Sequence, residues 1–141
     1  GLRRAMEPQT RVVHHPYDAE NLSALAESAQ KADVVIFVAS APPAGEHFDL
    51  TGLDLYPGEP EAIAATVRAN PKTVVVVQAG YPVSLEPWAD QVPAILASWY
   101  AGQSGGEALA DVLMGNVNPS AKLSFTWGRR LEDYPVHALG Q

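Results

Sequence analysis

Cysteine is absent from the sequence. Without a thiol, the chain can form neither a disulfide framework nor a thiolate metal site, and cysteine usage gives no indication of its redox compartment. The localisation therefore stays open and is compatible with a secreted or periplasmic protein. The four histidines lack the spacing of a metal-binding motif, and His14 and His15 are expected at the surface. We accordingly expect neither a metal nor a cofactor.

Basic residues are scarce. Nine lysines and arginines stand against sixteen aspartates and glutamates, which gives a net charge of −7. A negative net charge opposes the electrostatic attraction that drives most nucleic-acid binding. Long apolar runs are missing too, since stretches such as Val34–Ala39 and Val74–Val77 are far below the roughly 20 residues that span a bilayer. Neither nucleic acid nor a membrane is an expected partner.

The chain has the length and composition of one α/β domain. Its 141 residues suffice for one hydrophobic core and are too few for two ordinary domains. A helix is predicted from about Glu59 to Asn70, with Ile63 and Val67 facing inward. Three apolar runs without alternation predict strands buried on both faces, as in a parallel sheet covered by helices: Val34–Ala39, Thr73–Val77 and Ala94–Trp99.

Other helix boundaries are indicated by residues that cap free backbone amides. Asp18 predicts the start of a helix whose apolar stripe ends near Lys31. Ser104 and Glu107 have the spacing of a capping box, which predicts a helix running to Met114 and a left-handed glycine after it.

The segment Leu123–Trp127 alternates between apolar and polar residues and predicts a last, edge-type strand. Strands that alternate with helices over short connections favour a parallel sheet. The predicted fold is therefore an α/β three-layer sandwich, with a mostly parallel sheet, helices on both faces and an antiparallel last strand. Ligands of such sheets bind beyond the carboxyl ends of the strands.

The segment Ser40–Gly58 leaves the carboxyl end of a predicted strand and exceeds the usual length of a strand-to-helix connection. Long loops at that edge are often functional. This loop carries Glu46, His47, Asp49 and Asp54. Paired carboxylates are the groups that hydrolyse glycosides, one as a proton donor and the other as a nucleophile or base. The alternative is that these are solvated loop charges.

Two further patterns have both a functional and a structural interpretation. The run Gly102–Gly106 at a helix start could bind a phosphate, as in a flavodoxin-like module, or could permit close packing of the backbone. Trp88, Trp99 and Trp127 could stack on a sugar ring, although tryptophan is more often found in a core or an interface.

A set of motifs follows in order along the chain: Ala32–Val38, Glu46–Asp49, Leu53–Leu55, Asn70–Val77, Gly80–Val83, Trp99–Gly106, Ala110–Gly115 and Asn118–Leu123. In this order the motifs resemble the C-terminal α/β-sandwich domain of glycoside hydrolase family 3. The similarity covers roughly residues 10 to 135, and the set is highly specific.

The resemblance implies part of a retaining, exo-acting glycoside hydrolase, in which a covalent glycosyl-enzyme forms. Members of the family are mostly β-glucosidases, which release terminal non-reducing β-D-glucosyl residues, and some are β-xylosidases. Their nucleophile is an Asp on a preceding TIM-barrel domain, and their general acid/base is a Glu on a loop of the α/β domain. A β-glucoside or oligosaccharide substrate and the barrel of the same enzyme are thus the implied partners.

Glu46 is the candidate acid/base, and His47, Phe48 and Asp49 are candidate substrate-binding residues. The family loop often contains Glu-Gly-x-Asp-Arg, whereas this chain has His47 for the Gly and Leu50 for the Arg. These departures motivate the alternative that the domain is a non-catalytic module shaping a sugar site.

The resemblance also predicts how the chain begins. Gly1–Met6 is expected to be the tail of a helix, and residues 1–141 a single, truncated domain whose barrel lies outside the chain. One central strand of the family's sheet is then missing. A sheet without it would expose an apolar edge, which favours aggregation or pairing with another chain.

Overall fold

The computed structural model describes residues 1–7, 9–47 and 50–139. Three parallel strands form one sheet in the order β1-β2-β3. The strands are β1 (Val35–Ser40), β2 (Thr73–Gln78) and β3 (Ala94–Ala97). The helices are α1 (Leu2–Met6), α2 (Leu22–Gln30), α3 (Glu59–Ala69) and α4 (Gly105–Leu113), with short 3-10 turns at Ala89–Gln91, Leu131–Asp133 and Pro135–Leu139. The predicted α/β class and the parallel sheet are confirmed, and the arrangement is consistent with a sandwich.

Helix α3 connects the two parallel strands β1 and β2 and packs against both of them. Val35 pairs with Thr73 and Phe37 with Val75, so the same faces of the two strands are in register. The core lies on the α3 side of the sheet, where α2 covers α3 in turn. Its members include Phe37, Ala39, Val75, Val77, Ala62, Ile63 and Trp88.

The predicted start of α2 is wrong by one turn. Asn21 is the N-cap, and its side chain accepts a hydrogen bond from the Ala24 amide at 3.2 Å. The Asp18 carboxylate instead accepts from the Glu20 amide at 2.9 Å. Asp readily forms such a turn with the backbone two residues on, and this local bond competes with helix initiation.

The α4 helix begins at the predicted place without the predicted capping box. Ser104 is the N-cap, but its side chain makes no capping hydrogen bond. The Glu107 carboxylate pairs with Arg4 of α1, a contact that no local pattern indicates. The predicted left-handed glycine is confirmed, since Gly115 has φ +76°. A side chain at Gly105 would lie 2.8 Å from the Ala101 side chain, which supports the close-packing interpretation of this glycine run.

The segment Leu123–Trp127, predicted as an edge strand, forms no strand in the described part of the chain. The alternation instead reflects packing of its aromatic side chains. Phe125 packs edge-on against Trp99, with ring centroids 5.2 Å apart. The Trp127 indole donates to the Val83 carbonyl at 2.7 Å. An extended loop with one apolar side has the same sequence pattern as an edge strand.

The strands are less buried than the uninterrupted apolar runs predict. Val38 of β1 is 47% exposed and Ile95 of β3 is 40% exposed. The reason is their position, because β1 and β3 are the two edges of the described sheet and only β2 has a neighbour on each side. Arg11–His15, the short run before α2, is in no strand. The helix expected at Gly1–Met6 is confirmed as α1, which packs against α4.

None of the helices in the described ranges combines the length and apolar character needed to cross a membrane.

Candidate active site

The candidate catalytic loop, residues 41–58, connects the carboxyl end of β1 to α3. Its tip places Glu46 and His47 in solvent. The Glu46 side chain forms no hydrogen bond or ion pair with any residue that the structure describes. Asp54, a further carboxylate of the loop, is also exposed. Phe48 and Asp49, two predicted substrate-binding residues, lie outside the described residues.

The two ends of this loop are joined at the rim of the sheet. The Tyr56 amide donates to the Ser40 carbonyl at 3.2 Å, and the Glu59 amide donates to the Tyr56 carbonyl at 3.0 Å. The Glu59 carboxylate then accepts from the Ser40 amide at 3.0 Å. Glu59 is only 5% exposed, so its carboxylate is a buried connection between the end of β1 and the first residue of α3.

Residues outside the loop hold its two stems. The Tyr81 hydroxyl donates to the Pro42 carbonyl at 2.7 Å, and burial raises the pKa of Tyr81, which keeps its proton in place for this bond. The Ser84 amide donates to the Leu53 carbonyl at 2.6 Å. Both donors belong to the connection between β2 and β3. The stems are therefore anchored, whereas the tip with Glu46 extends beyond these anchors.

A cleft of about 430 Å³ opens beside this loop at the carboxyl ends of the strands. Ser40 and Gln78, the last residues of β1 and β2, line it together with Tyr56, Trp99 and Tyr100. Pro43 of the loop also lines the cleft, and Glu46 is three positions further along the chain. Three residues span at most about 11 Å, so the Glu46 backbone is near the cleft although Glu46 does not line it.

Across the described ranges, no group of three His, Asp or Glu side chains is placed to hold a metal ion. Trp88 is fully buried in the core, so the three tryptophans do not form one exposed platform. Only Trp99 of the three lines the cleft.

Comparison with known proteins assigns the family. The model of the glycosyl hydrolase family 3 C-terminal domain matches residues 1–141. The chain belongs to glycoside hydrolase family 3. Probable beta-glucosidase J of Neosartorya fischeri is 44% identical over 121 residues, which are 85% of this chain and 14% of that relative.

Solved structures of the family have the same fold as this domain. A Kluyveromyces marxianus beta-glucosidase in complex with glucose superposes with a TM-score of 0.81 at 35% identity, over 89% of this chain and 15% of its own. A Bifidobacterium adolescentis family 3 beta-glucosidase superposes with a TM-score of 0.76 at 38% identity, over 91% of this chain and 19% of its own. The chain thus spans less than a fifth of each of these proteins.

Sequence patterns located the loop of the family 3 domain but missed the residues that hold it. Glu59 was assigned to a helix start, and Tyr81 appeared only within a family motif. A carboxylate in the first turn of a helix is common and usually solvated. The burial of the Glu59 carboxylate follows from the packing of α3 against β1, which no local signal in the sequence indicates.

Removing the Glu59 charge should change how the stability of the family 3 domain depends on pH. Burial raises the pKa of Glu59 from its usual 4.5, and the backbone hydrogen bonds of Ser40 and Tyr56 partly oppose this. The folded state then binds more protons than the unfolded state above about pH 4.5. The contribution of the protonated Glu59 carboxyl group to the free energy of unfolding is fully present below that pH. It is lost as the pH rises through the raised pKa of Glu59 in the folded state.

Glu59→Gln should therefore reduce the fall in unfolding free energy between about pH 4.5 and 7, because glutamine can still accept from Ser40 but does not ionise. Hydrogen exchange of the β1 amides in the full-length protein, measured across this range, checks the slope. Glu61→Gln is the matched control, since Glu61 is exposed in the same helical turn. Equal slopes in wild type and Glu59→Gln would contradict the assignment.

Tyr81→Phe should loosen the Pro42 stem of the loop without unfolding the domain. The lost hydroxyl removes one hydrogen bond, which typically contributes about 0.5–1.5 kcal/mol. We expect faster proteolysis or hydrogen exchange in residues 41–47. Tyr134→Phe is the control, because it removes a hydroxyl that accepts from the Gly128 amide, away from the loop. Equal protection of residues 41–47 in both variants would show that Tyr81 does not hold the stem.

Proposed function

We propose that this domain is part of a retaining, exo-acting β-glucosidase that hydrolyses terminal non-reducing β-D-glucosyl residues, and that Glu46 is its general acid/base. The observation that carries the proposal is the location of Glu46. It lies on the loop at the carboxyl edge of the sheet, in a family 3 chain whose relatives are named beta-glucosidases. Ligands of parallel α/β sheets bind at this edge.

The chemistry requires two carboxyl groups and proceeds in two steps. In the first, Glu46 donates its proton to the glycosidic oxygen while a carboxylate of the barrel domain attacks the anomeric carbon, so the aglycone leaves as an alcohol. In the second, Glu46 removes a proton from water, which displaces the carboxylate and releases the sugar with its original configuration. The barrel of the same enzyme must supply the nucleophile.

The exposure of the loop tip is consistent with a nucleophile on the barrel domain and an acid/base on this domain. An acid/base must reach a substrate held by another domain, and Glu46 extends beyond the anchors that hold the loop stems. The anchors limit the movement of the stems, which helps to place the carboxyl group. Correct placement of a catalytic group contributes strongly to the rate of such reactions.

A second proposal is a non-catalytic module that shapes the sugar site. It is favoured by His47 and Leu50, which stand where the family loop often has Gly and Arg. Under this proposal the acid/base would come from elsewhere in the enzyme, and Glu46→Gln would leave turnover intact.

Two measurements on the full-length enzyme test the first proposal. Proton NMR of the initial product of β-glucoside hydrolysis should show the β-anomer, and loss of the Glu46 carboxyl group should nearly abolish turnover. An initial α-anomer would overturn the retaining mechanism. Normal hydrolysis without the carboxyl group would overturn the acid/base assignment.

A further inference from the structure

The connection between β2 and β3 supports the candidate catalytic loop, and a later segment of the chain supports that connection in turn. Ser84 lies at the centre of these contacts. Its amide donates to the Leu53 carbonyl of the loop at 2.6 Å, and its carbonyl accepts from the buried Trp88 indole at 3.1 Å. The Ser84 hydroxyl donates to the Arg129 carbonyl at 3.3 Å. One residue therefore contacts the loop, the core and the segment of residues 127–133.

The Arg129 carbonyl is the point at which residues 127–133 meet the connection. Besides the Ser84 hydroxyl, it accepts from the Leu85 amide at 2.8 Å and from the Glu86 amide at 3.3 Å. The Arg129 guanidinium pairs with Asp90 and lies 3.6 Å from the Glu86 carboxylate. Exposed ion pairs of this kind contribute little to stability, so the carbonyl is the stronger contact.

Asp133 fixes the backbone that presents this carbonyl. Its Oδ2 accepts from the Arg129 amide at 2.8 Å and from the Arg130 amide at 3.2 Å. The Arg129 amide is the main cause that lowers the pKa of Asp133 from its usual 3.8, and the Arg130 amide and guanidinium act in the same direction. The carboxylate is therefore ionised at neutral pH. Hydrogen bonds to a charged acceptor are roughly twice as strong as neutral ones.

We propose that Asp133 is a positioning residue for Glu46, which acts through the Arg129 carbonyl and Ser84 on the Leu53 stem of the loop. This inference rests on the proposed function of Glu46 as the acid/base. Asp133 does not line the cleft, and its hydrogen bonds to described residues are all within its own segment. A misplacement of a reacting group by about 1 Å can lower a rate on the order of 100-fold, even when the substitution is distant.

A misplaced proton donor has a kinetic signature that a loss of folded protein lacks. An unactivated sugar alcohol needs a proton in order to leave, whereas an acidic phenol leaves with little protonation. Since kcat/KM reports formation of the glycosyl-enzyme, misplacement of Glu46 lowers kcat/KM more for an unactivated β-glucoside than for an activated one. A smaller folded fraction would lower both values by the same factor.

The test compares kcat/KM for cellobiose and for dinitrophenyl β-glucoside in the full-length protein. Asp133→Ala should lower the value for cellobiose about tenfold and that for the activated substrate less than about threefold. Asp133→Asn keeps an acceptor for the backbone amides and should recover most of the loss on cellobiose. Glu132→Ala is the matched control, because Glu132 is exposed and pairs with no residue that the structure describes. It should leave both values unchanged.

Two further measurements guard against an effect on folding. Ser84→Ala, which removes only the hydroxyl bonded to Arg129, should show the same substrate preference with a smaller loss. Hydrogen exchange of residues 50–55 should be faster in Asp133→Ala than in Glu132→Ala. Equal losses on both substrates, or unchanged exchange of residues 50–55, would overturn the proposal.

Glu46→Ala, measured alongside, separates this proposal from the acid/base assignment. Its loss should also be larger on cellobiose than on dinitrophenyl β-glucoside. If Glu46→Ala shows no such difference, the acid/base assignment fails and the positioning role fails with it. If Glu46→Ala shows the difference and Asp133→Ala does not, only the positioning role is overturned.

Discussion

Replacing Glu46 with alanine in the full-length enzyme should lower kcat for an unactivated β-glucoside by about 10²–10⁴-fold, the usual contribution of general acid–base catalysis. The aglycone of such a substrate is a poor leaving group without a proton. An aryl glucoside with an acidic phenol needs less protonation of its leaving group in the first step, so its covalent intermediate should form and accumulate. The second step should then be slow because no base activates water.

Rescue of turnover by azide distinguishes a role of Glu46 as acid/base from a structural role. As a small anion it needs no base, and it can attack the anomeric carbon of the glycosyl-enzyme and release the nucleophilic carboxylate. Turnover of the aryl glucoside by Glu46→Ala should therefore rise with azide, and β-glucosyl azide should form. Asp54→Ala is the matched control, since Asp54 is an exposed carboxylate of the same loop. Wild-type turnover in Glu46→Ala, or equal losses in both variants, would reject the assignment.

Trp88→Ala should destabilise the domain by about 3–5 kcal/mol, the usual cost of truncating a large buried aromatic residue. Trp88 is 1% exposed and belongs to the core on the α3 side of the sheet. Its indole also donates to the Ser84 carbonyl at 3.1 Å. The substitution leaves a cavity and an unpaired carbonyl. Hydrogen exchange of the β2 amides in the full-length protein measures the loss, because exchange of these amides requires opening of the core.

The control for Trp88 is Leu123→Ala, which truncates an apolar side chain that is 51% exposed. Surface substitutions of this kind usually change stability by less than about 0.5 kcal/mol. Trp88→Ala should also loosen the candidate catalytic loop, because Tyr81 and Ser84 of the same connection hold the loop stems. Unchanged exchange of β2 in Trp88→Ala would show that the indole is not an essential part of the core.

The elements predicted correctly from pattern are those whose signal is local and strong. The runs of valine and isoleucine became β1 and β2, and the periodic segment after Gly58 became α3. Gly115 is left-handed as predicted, because a glycine after a helix has few alternatives. Where another partner competed with a predicted cap, pattern was insufficient. Asp18 formed a turn instead of a cap, and Glu107 formed an ion pair with Arg4 instead of a capping box.

The candidate site likewise has some features that the sequence predicts and others that it does not. The loop and Glu46 could be located from chain order, because a loop after a buried parallel strand must lie at the carboxyl edge. The cleft could not be predicted, since its walls come from segments far apart in the chain, Tyr56 near the end of the loop and Tyr100 after β3. The functions of Tyr81 and Glu59 as anchors depend on the same distant pairings.

The amino-acid sequence by itself determined the α/β class, the family and the position of the candidate catalytic loop, because apolar periodicity and motif order depend on neighbouring residues. Only the tertiary structure decided which side chains are buried, which are paired and which surround the cleft. The burial of Glu59 and Trp88 and the exposure of Val38 and Ile95 follow from which strand or helix lies alongside each residue. That is a property of the packed chain, and neighbouring residues in the sequence do not encode it.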